Sequence, residues 1–121
     1  MPSAVGTEDH LKQLYESTKK TYIDLRNKEG EIPKGKESEY WLDRSVARMA
    51  LESAENAIFA NLVEEQKRRL PELTASTSKL ASDVQVAENA LSIIELVSSS
   101  LGVLGEVIAL FAPRISVQTN T

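Results

Sequence analysis

The longest hydrophobic pattern in the chain runs from Leu73 to Ala112 and has the period of an α-helix. A strand would alternate every second residue, whereas here uncharged residues recur at alternating spacings of four and three. The members of this seam are Leu73, Thr77, Leu80, Val84, Ala87, Leu91, Ile94, Ser98, Leu101, Gly105, Ile108 and Ala112. The pattern predicts one long helix. A second apolar stripe beside it, from Val86 onward, requires cover from the bundle itself, another copy of the chain, or lipid.

The segment 38–69 carries a second helical seam, built from small residues. Its members are Ala47, Ala50, Ala54 and Ala57. Small side chains let two helix axes approach closely, so the seam is a candidate interface between helices or between copies. The high helix propensity of alanine explains the same residues equally well. Phe59 lies off this seam, on the charged side, and is predicted to mark where the first helix or a second subunit lies.

The segment 7–29 predicts a weaker helix. Its seam contains Leu11, Leu14, Thr18, Thr21 and Leu25, so two of five positions are threonine. A helix with so little apolar surface needs a partner to fold.

Pro71 predicts the boundary between the second and third helices. The residue before a proline avoids helical backbone angles, and residues 70–77 suffice for a turn between helices. This favours an antiparallel hairpin over a single kinked rod. The predicted fold is therefore all-α: an antiparallel helical hairpin or three-helix bundle of long helices, about 7–29, 38–69 and 72–112. Residues 1–113 would form a single domain, followed by a flexible tail at 114–121.

Composition narrows the classes of function. The net charge of −4 disfavours nucleic acid, because phosphate contacts need clustered Lys and Arg. Without cysteine, no disulfide framework or thiolate metal site can form, and the cytoplasm is favoured. The single histidine, His10, lacks the partners of a zinc or di-iron site. We therefore expect no cofactor and no catalytic residue, and we predict that the protein is not an enzyme.

Residues 30–37 contain part of a phosphate-binding motif. Gly30, Gly35 and Lys36 have its spacing, but Glu37 replaces the Ser or Thr that would hold magnesium. The motif also needs a preceding strand, whereas this segment follows a predicted helix. The stretch is interpreted as a loop that does not bind nucleotide.

A polar stripe runs along the predicted third helix and leaves two interpretations open. Glu88, Glu95 and Glu106 share one side of that helix, which is typical of a solvent face. Alternatively, residues 91–112 would be about 33 Å long as a helix, close to the ~30 Å thickness of a bilayer. The glutamates would then line the lumen of an inserted oligomer.

The leading prediction is a non-catalytic helical interaction module that self-associates through its apolar seams. Its expected partner is itself or another helical protein. The predicted interface comprises Ala47, Ala50, Ala54, Ala57, Phe59, Leu91, Ile94, Leu101, Gly105 and Ile108. The alternative is a membrane-active protein that inserts residues 91–112 as an oligomer to form a pore or remodel a membrane, which would make it membrane-associated.

Overall fold

The computed structural model describes residues 6–112, and this part of the chain is helical with no strand. It contains α1 (Thr7–Arg26), a 3₁₀ turn (Glu29–Glu31), α2 (Glu37–Ile58), α3 (Glu64–Val86), α4 (Ala90–Ser98) and α5 (Leu101–Phe111). The prediction of an all-α helical bundle is confirmed. The predicted flexible tail, 114–121, lies outside the described residues.

Helices α1, α2 and α3 run up, down and up. The hydroxyls of Ser17 and Ser78 lie 3.0 Å apart, and Thr74 Oγ1 donates to the His10 carbonyl at 3.3 Å, so α1 and α3 are parallel. The Tyr40 hydroxyl donates to the Leu25 carbonyl at 2.7 Å, which places the start of α2 against the end of α1. Helices α2 and α3 are antiparallel, as predicted, but they do not pack against each other as a hairpin, because each packs against α1 instead.

Helix α5 completes a four-helix arrangement. It packs against both α2 and α3, as α1 does on the other side, so α2 and α3 lie diagonally across the bundle. Arg69 on α3 pairs with Glu106 on α5 at 2.9 Å. Gln66 accepts a hydrogen bond from the Val63 amide and donates one to the Leu110 carbonyl at 2.8 Å. Helix α4 covers the end of the bundle where α1 and α3 finish.

The predicted seam of α1 is buried throughout, including both threonines. Thr18 Oγ1 donates to the Leu14 carbonyl at 2.9 Å, which satisfies the hydroxyl inside the core. A buried polar group with a hydrogen-bond partner costs little, so threonine is tolerated there. The helix ends at Arg26, three residues before the predicted boundary.

The prediction of one helix from Leu73 to Ala112 is wrong, because two breaks divide that segment. Asn89 caps α4, its side chain accepting a hydrogen bond from the Ser92 amide at 2.8 Å. A second break at Ser99 and Ser100 bends the chain by 55° between α4 and α5. The core positions change from one apolar stripe to the other across these breaks. In α3 the predicted seam is buried, whereas in α4 and α5 the second stripe fills the core: Ala90, Ile93, Val97, Leu104, Val107 and Phe111.

The predicted turn at 70–77 and the helix 38–69 are also wrong. Helix α2 ends at Ile58, the turn occupies residues 59–63, and Pro71 lies inside α3. An interior proline removes one helical hydrogen bond. Here Leu70 and Leu73 on either side are 1% and 2% exposed, and their burial offsets that cost.

Candidate functional site

The alanine seam of α2 lies inside the bundle. Ala47, Ala50, Ala54 and Ala57 are each at most 1% exposed. The helices closest to α2 are α1 and α5 of the same chain, and the small side chains allow both to approach. A partner could contact these four residues only if the helices of the bundle separated.

The predicted interface residues of α5 lie at its border with α2. Leu101, Gly105 and Ile108 are half-buried and pack beside the core, while Leu104, Val107 and Phe111 fill it. A Cβ atom added at Gly105 would have no heavy atom within 4 Å. No other part of residues 6–112 therefore packs closely against Gly105.

An uncharged surface spans α2 and α5, and we call it the α2–α5 face. Glu106 is the only charged residue of α5, and it turns toward Arg69 on α3, so the side of α5 next to α2 carries no charge. On α2, Leu42 and Met49 are 54% and 49% exposed. The face comprises Leu42, Ser45, Val46, Met49 and Asn56 of α2, Leu101, Gly102, Gly105, Ile108 and Ala109 of α5, and Ala112 just beyond it.

Phe59 stands at one end of the bundle, in the turn after α2. Its side chain is 85% exposed, the highest value among the large apolar residues. A groove of about 270 Å³ lies beside it, lined in part by Ala57, Val63 and Phe111. Asn56 and Ala112, which belong to the α2–α5 face, also line this groove.

Residues 88–95 lie at the opposite end. Ile94 is 1% exposed and belongs to the core, whereas Leu91 is 39% exposed in the first turn of α4. The three glutamates of the predicted polar stripe fall on separate elements: Glu88 between α3 and α4, Glu95 on α4, and Glu106 on α5. All three are exposed, but the breaks in the chain remove the single straight stripe.

The geometry of the loop at 30–37 is unsuited to binding a phosphate group. The Gly35 amide, which a phosphate-binding loop would direct at its ligand, donates instead to the Glu37 carboxylate at 3.0 Å. Lys36 pairs with Glu39 at 3.0 Å, and that hydrogen bond raises the pKa of the ammonium group. Gly35 adopts a φ of +89°, which only glycine accommodates readily, so its role is to form the turn.

Asp43 is a buried acidic residue that the sequence reasoning missed. It is 0% exposed, and its Oδ2 atom accepts a hydrogen bond from the Ser98 hydroxyl at 2.7 Å. Burial raises the pKa of the Asp43 carboxyl, and the Ser98 hydrogen bond partly opposes that rise. The sequence held a signal, because Asp43 continues the 4–3 spacing of the alanine seam and is its one charged member.

Comparison of the chain with protein-family models, with curated proteins and with solved structures found no match. Among residues 6–112, no three His, Asp or Glu side chains cluster in a way that could hold a metal ion. No single helix in this range has the length and hydropathy to cross a membrane. Helices α4 and α5 have that length and hydropathy only when they are taken together across the 55° bend between them.

Proposed function

We propose that this protein is a non-catalytic helical module that associates with a second copy of itself through the α2–α5 face. The observation that carries the proposal is the combination of exposed apolar side chains and missing charge on that face. Leu42 and Met49 remain about half exposed, although elsewhere α2 places Arg48, Glu52 and Glu55 toward solvent. An uncharged surface with exposed apolar side chains is typical of interaction sites.

The α5 side of the face supports close approach by another helix. Gly102, Gly105 and Ala109 follow each other at spacings of three and four, so they lie along one side of the helix. Neither glycine would place an added Cβ against the rest of the chain. Glycine costs a helix interior about 1 kcal/mol relative to alanine, and a close helix from another copy would offset that cost.

Sedimentation at micromolar concentration is expected to show a dimer, and the double variant Leu42→Glu, Met49→Glu is expected to be monomeric. Placing two carboxylates in a desolvated contact should raise the dissociation constant more than tenfold, equivalent to about 1.4 kcal/mol. Ile23→Glu is the matched control. Ile23 is 37% exposed on α1, diagonally opposite α5, so this variant should remain dimeric. A monomeric wild-type protein would refute the proposal.

Gly105→Leu is expected to raise the thermal stability of the folded chain while weakening self-association. The leucine finds open space and gains helix propensity of about 0.5–1 kcal/mol, but it projects into the contact with the second copy. Thermal unfolding and sedimentation of the same samples measure the two effects. A lower melting temperature without a change in association would place a tight intramolecular contact at this residue.

A second candidate function is insertion of α4 and α5 into a membrane as an oligomer. The observation that favours it is their combined length and hydropathy. Six of their apolar residues are core residues in the bundle, so insertion requires the pair to leave α1, α2 and α3: Ile93, Ile94, Val97, Leu104, Val107 and Phe111. Dye release from liposomes by the wild-type protein would favour this function over association in solution.

A further inference from the structure

The contact between α2 and the bend that separates α4 from α5 depends on one buried acid. Asp43 lies on α2 with its side chain fully buried, and Ser98 is the last residue of α4. Their hydrogen bond of 2.7 Å joins α2 to this bend. At the far end of α5, the polar contacts are with α3 instead: Gln66 donates a hydrogen bond to the Leu110 carbonyl, and Arg69 pairs with Glu106.

The second oxygen of the Asp43 carboxyl is buried without a hydrogen-bond partner among residues 6–112. An ionised carboxylate needs several donors or a cation when it is removed from water, and here it has one hydroxyl. A protonated carboxyl carries no charge and leaves a smaller unsatisfied group. The geometry therefore makes ionisation of Asp43 less favourable than it is for an exposed carboxyl, in agreement with its raised pKa.

The charged groups on the surrounding elements do not compensate Asp43. On α2 itself, Glu39 has the same sign and is already paired with Lys36. From the α1 side, Tyr22 and Glu29 interact with Arg44. The one charged residue of α4, Glu95, is exposed and acts on Lys36, and Glu106 of α5 pairs with Arg69.

We propose that Asp43 and Ser98 form a proton-controlled lock that fixes the α4–α5 pair to α2. The lock is closed while the Asp43 carboxyl is protonated. When the carboxyl ionises, the Ser98 hydrogen bond alone does not offset the cost of burying the charge, so opening that exposes Asp43 to water becomes more favourable. Because Asp43 contacts the chain at the bend, this opening releases the end of α4 and the first turn of α5 before the end of α5 that Gln66 and Arg69 hold.

The direction of the pH dependence follows from the raised pKa of Asp43 in the folded chain. The folded state retains the proton at pH values where the unfolded chain, with a pKa of about 3.9, has lost it. The stabilising contribution is therefore complete below the unfolded pKa. It is lost as the pH rises toward and through the folded pKa, by up to tenfold in the folding equilibrium constant per pH unit.

The test compares urea unfolding of the wild type and Asp43→Asn at a series of pH values from about 4 to about 8. We expect wild-type stability to fall with rising pH relative to the asparagine variant, which cannot ionise. The control Asp83→Asn removes a surface carboxylate that pairs with Lys79. Equal slopes for wild type and Asp43→Asn would overturn the proposal.

Ser98→Ala gives an independent result if the asparagine variant does not fold. The Ser98 hydroxyl lowers the pKa of Asp43, so its loss should extend the decline in stability to higher pH. Hydrogen exchange of the wild type, corrected for intrinsic rates, should show residues 98–104 losing protection with rising pH before residues 106–111. An unchanged decline in Ser98→Ala, or loss of protection that begins at 106–111, would contradict a lock at the bend.

Discussion

Replacing Leu104 by alanine should lower the free energy of unfolding by about 2–5 kcal/mol, the largest effect that we expect from a single substitution. Leu104 is 1% exposed on α5 and belongs to the core formed with α2 and α3. Truncating it removes buried methyl groups and leaves a cavity that the surrounding helices fill only in part. Urea unfolding followed by circular dichroism measures the change.

Leu101→Ala is the matched control for this experiment. It makes the same chemical change in the same helix at a half-buried position, so it removes a leucine side chain without opening a cavity in the core. We expect its effect to be less than half that of Leu104→Ala. Equal effects would mean that Leu104 is not packed in the core. They would then favour the second candidate function, in which α4 and α5 separate from the bundle and enter a membrane.

Ala50→Leu should destabilise the folded chain by about 1–3 kcal/mol, because it forces a larger side chain into a filled space. Ala50 is 0% exposed in the seam of α2, where α1 and α5 both pack. This variant separates two roles for the alanine seam. In the bundle, overpacking lowers the melting temperature of the chain at every protein concentration.

Ala75→Leu provides the matched control, since Ala75 is exposed on α3 and the substitution is identical. It should change stability by no more than about 0.5 kcal/mol. Sedimentation then decides the role of the seam. If Ala50→Leu dissociated an oligomer while leaving the melting temperature of the monomer unchanged, the alanines would lie between copies, and the proposed α2–α5 face would be wrong.

The sequence predicted the helical class and most of the core, because burial follows a 3.6-residue period whatever the connection between helices. The seam of α1 and the alanines of α2 are buried as their spacing indicated. The breaks at Asn89 and at Ser99 escaped prediction because two uncharged stripes run side by side from Val86 onward. The core moves from the first stripe in α3 to the second in α4 and α5, and the unbroken period of the first stripe concealed that change.

At Pro71 the sequence predicted a break between helices, but the structure has a continuous helix there. Local backbone preference predicted a boundary there, but the burial of Leu70 and Leu73 outweighed that preference. The true turn at 59–63 contains neither glycine nor proline.

The candidate interface was predicted only in part. Gly105 and Ile108 lie on the α2–α5 face, but their spacing gave no sign that Leu42 and Met49 lie there too. Which side of α2 receives α5 depends on tertiary packing that no single sequence pattern encodes.

The double hydrogen bonding of Gln66 couples two helix ends that are far apart in sequence. Its amide group holds the first turn of α3 through Val63 and the last turn of α5 through Leu110, which lies 44 positions further along the chain. Because one side chain makes both contacts, unfolding of the first turn of α3 also removes a contact of the last turn of α5. We therefore expect these two helix ends to fray together, as one local unfolding unit.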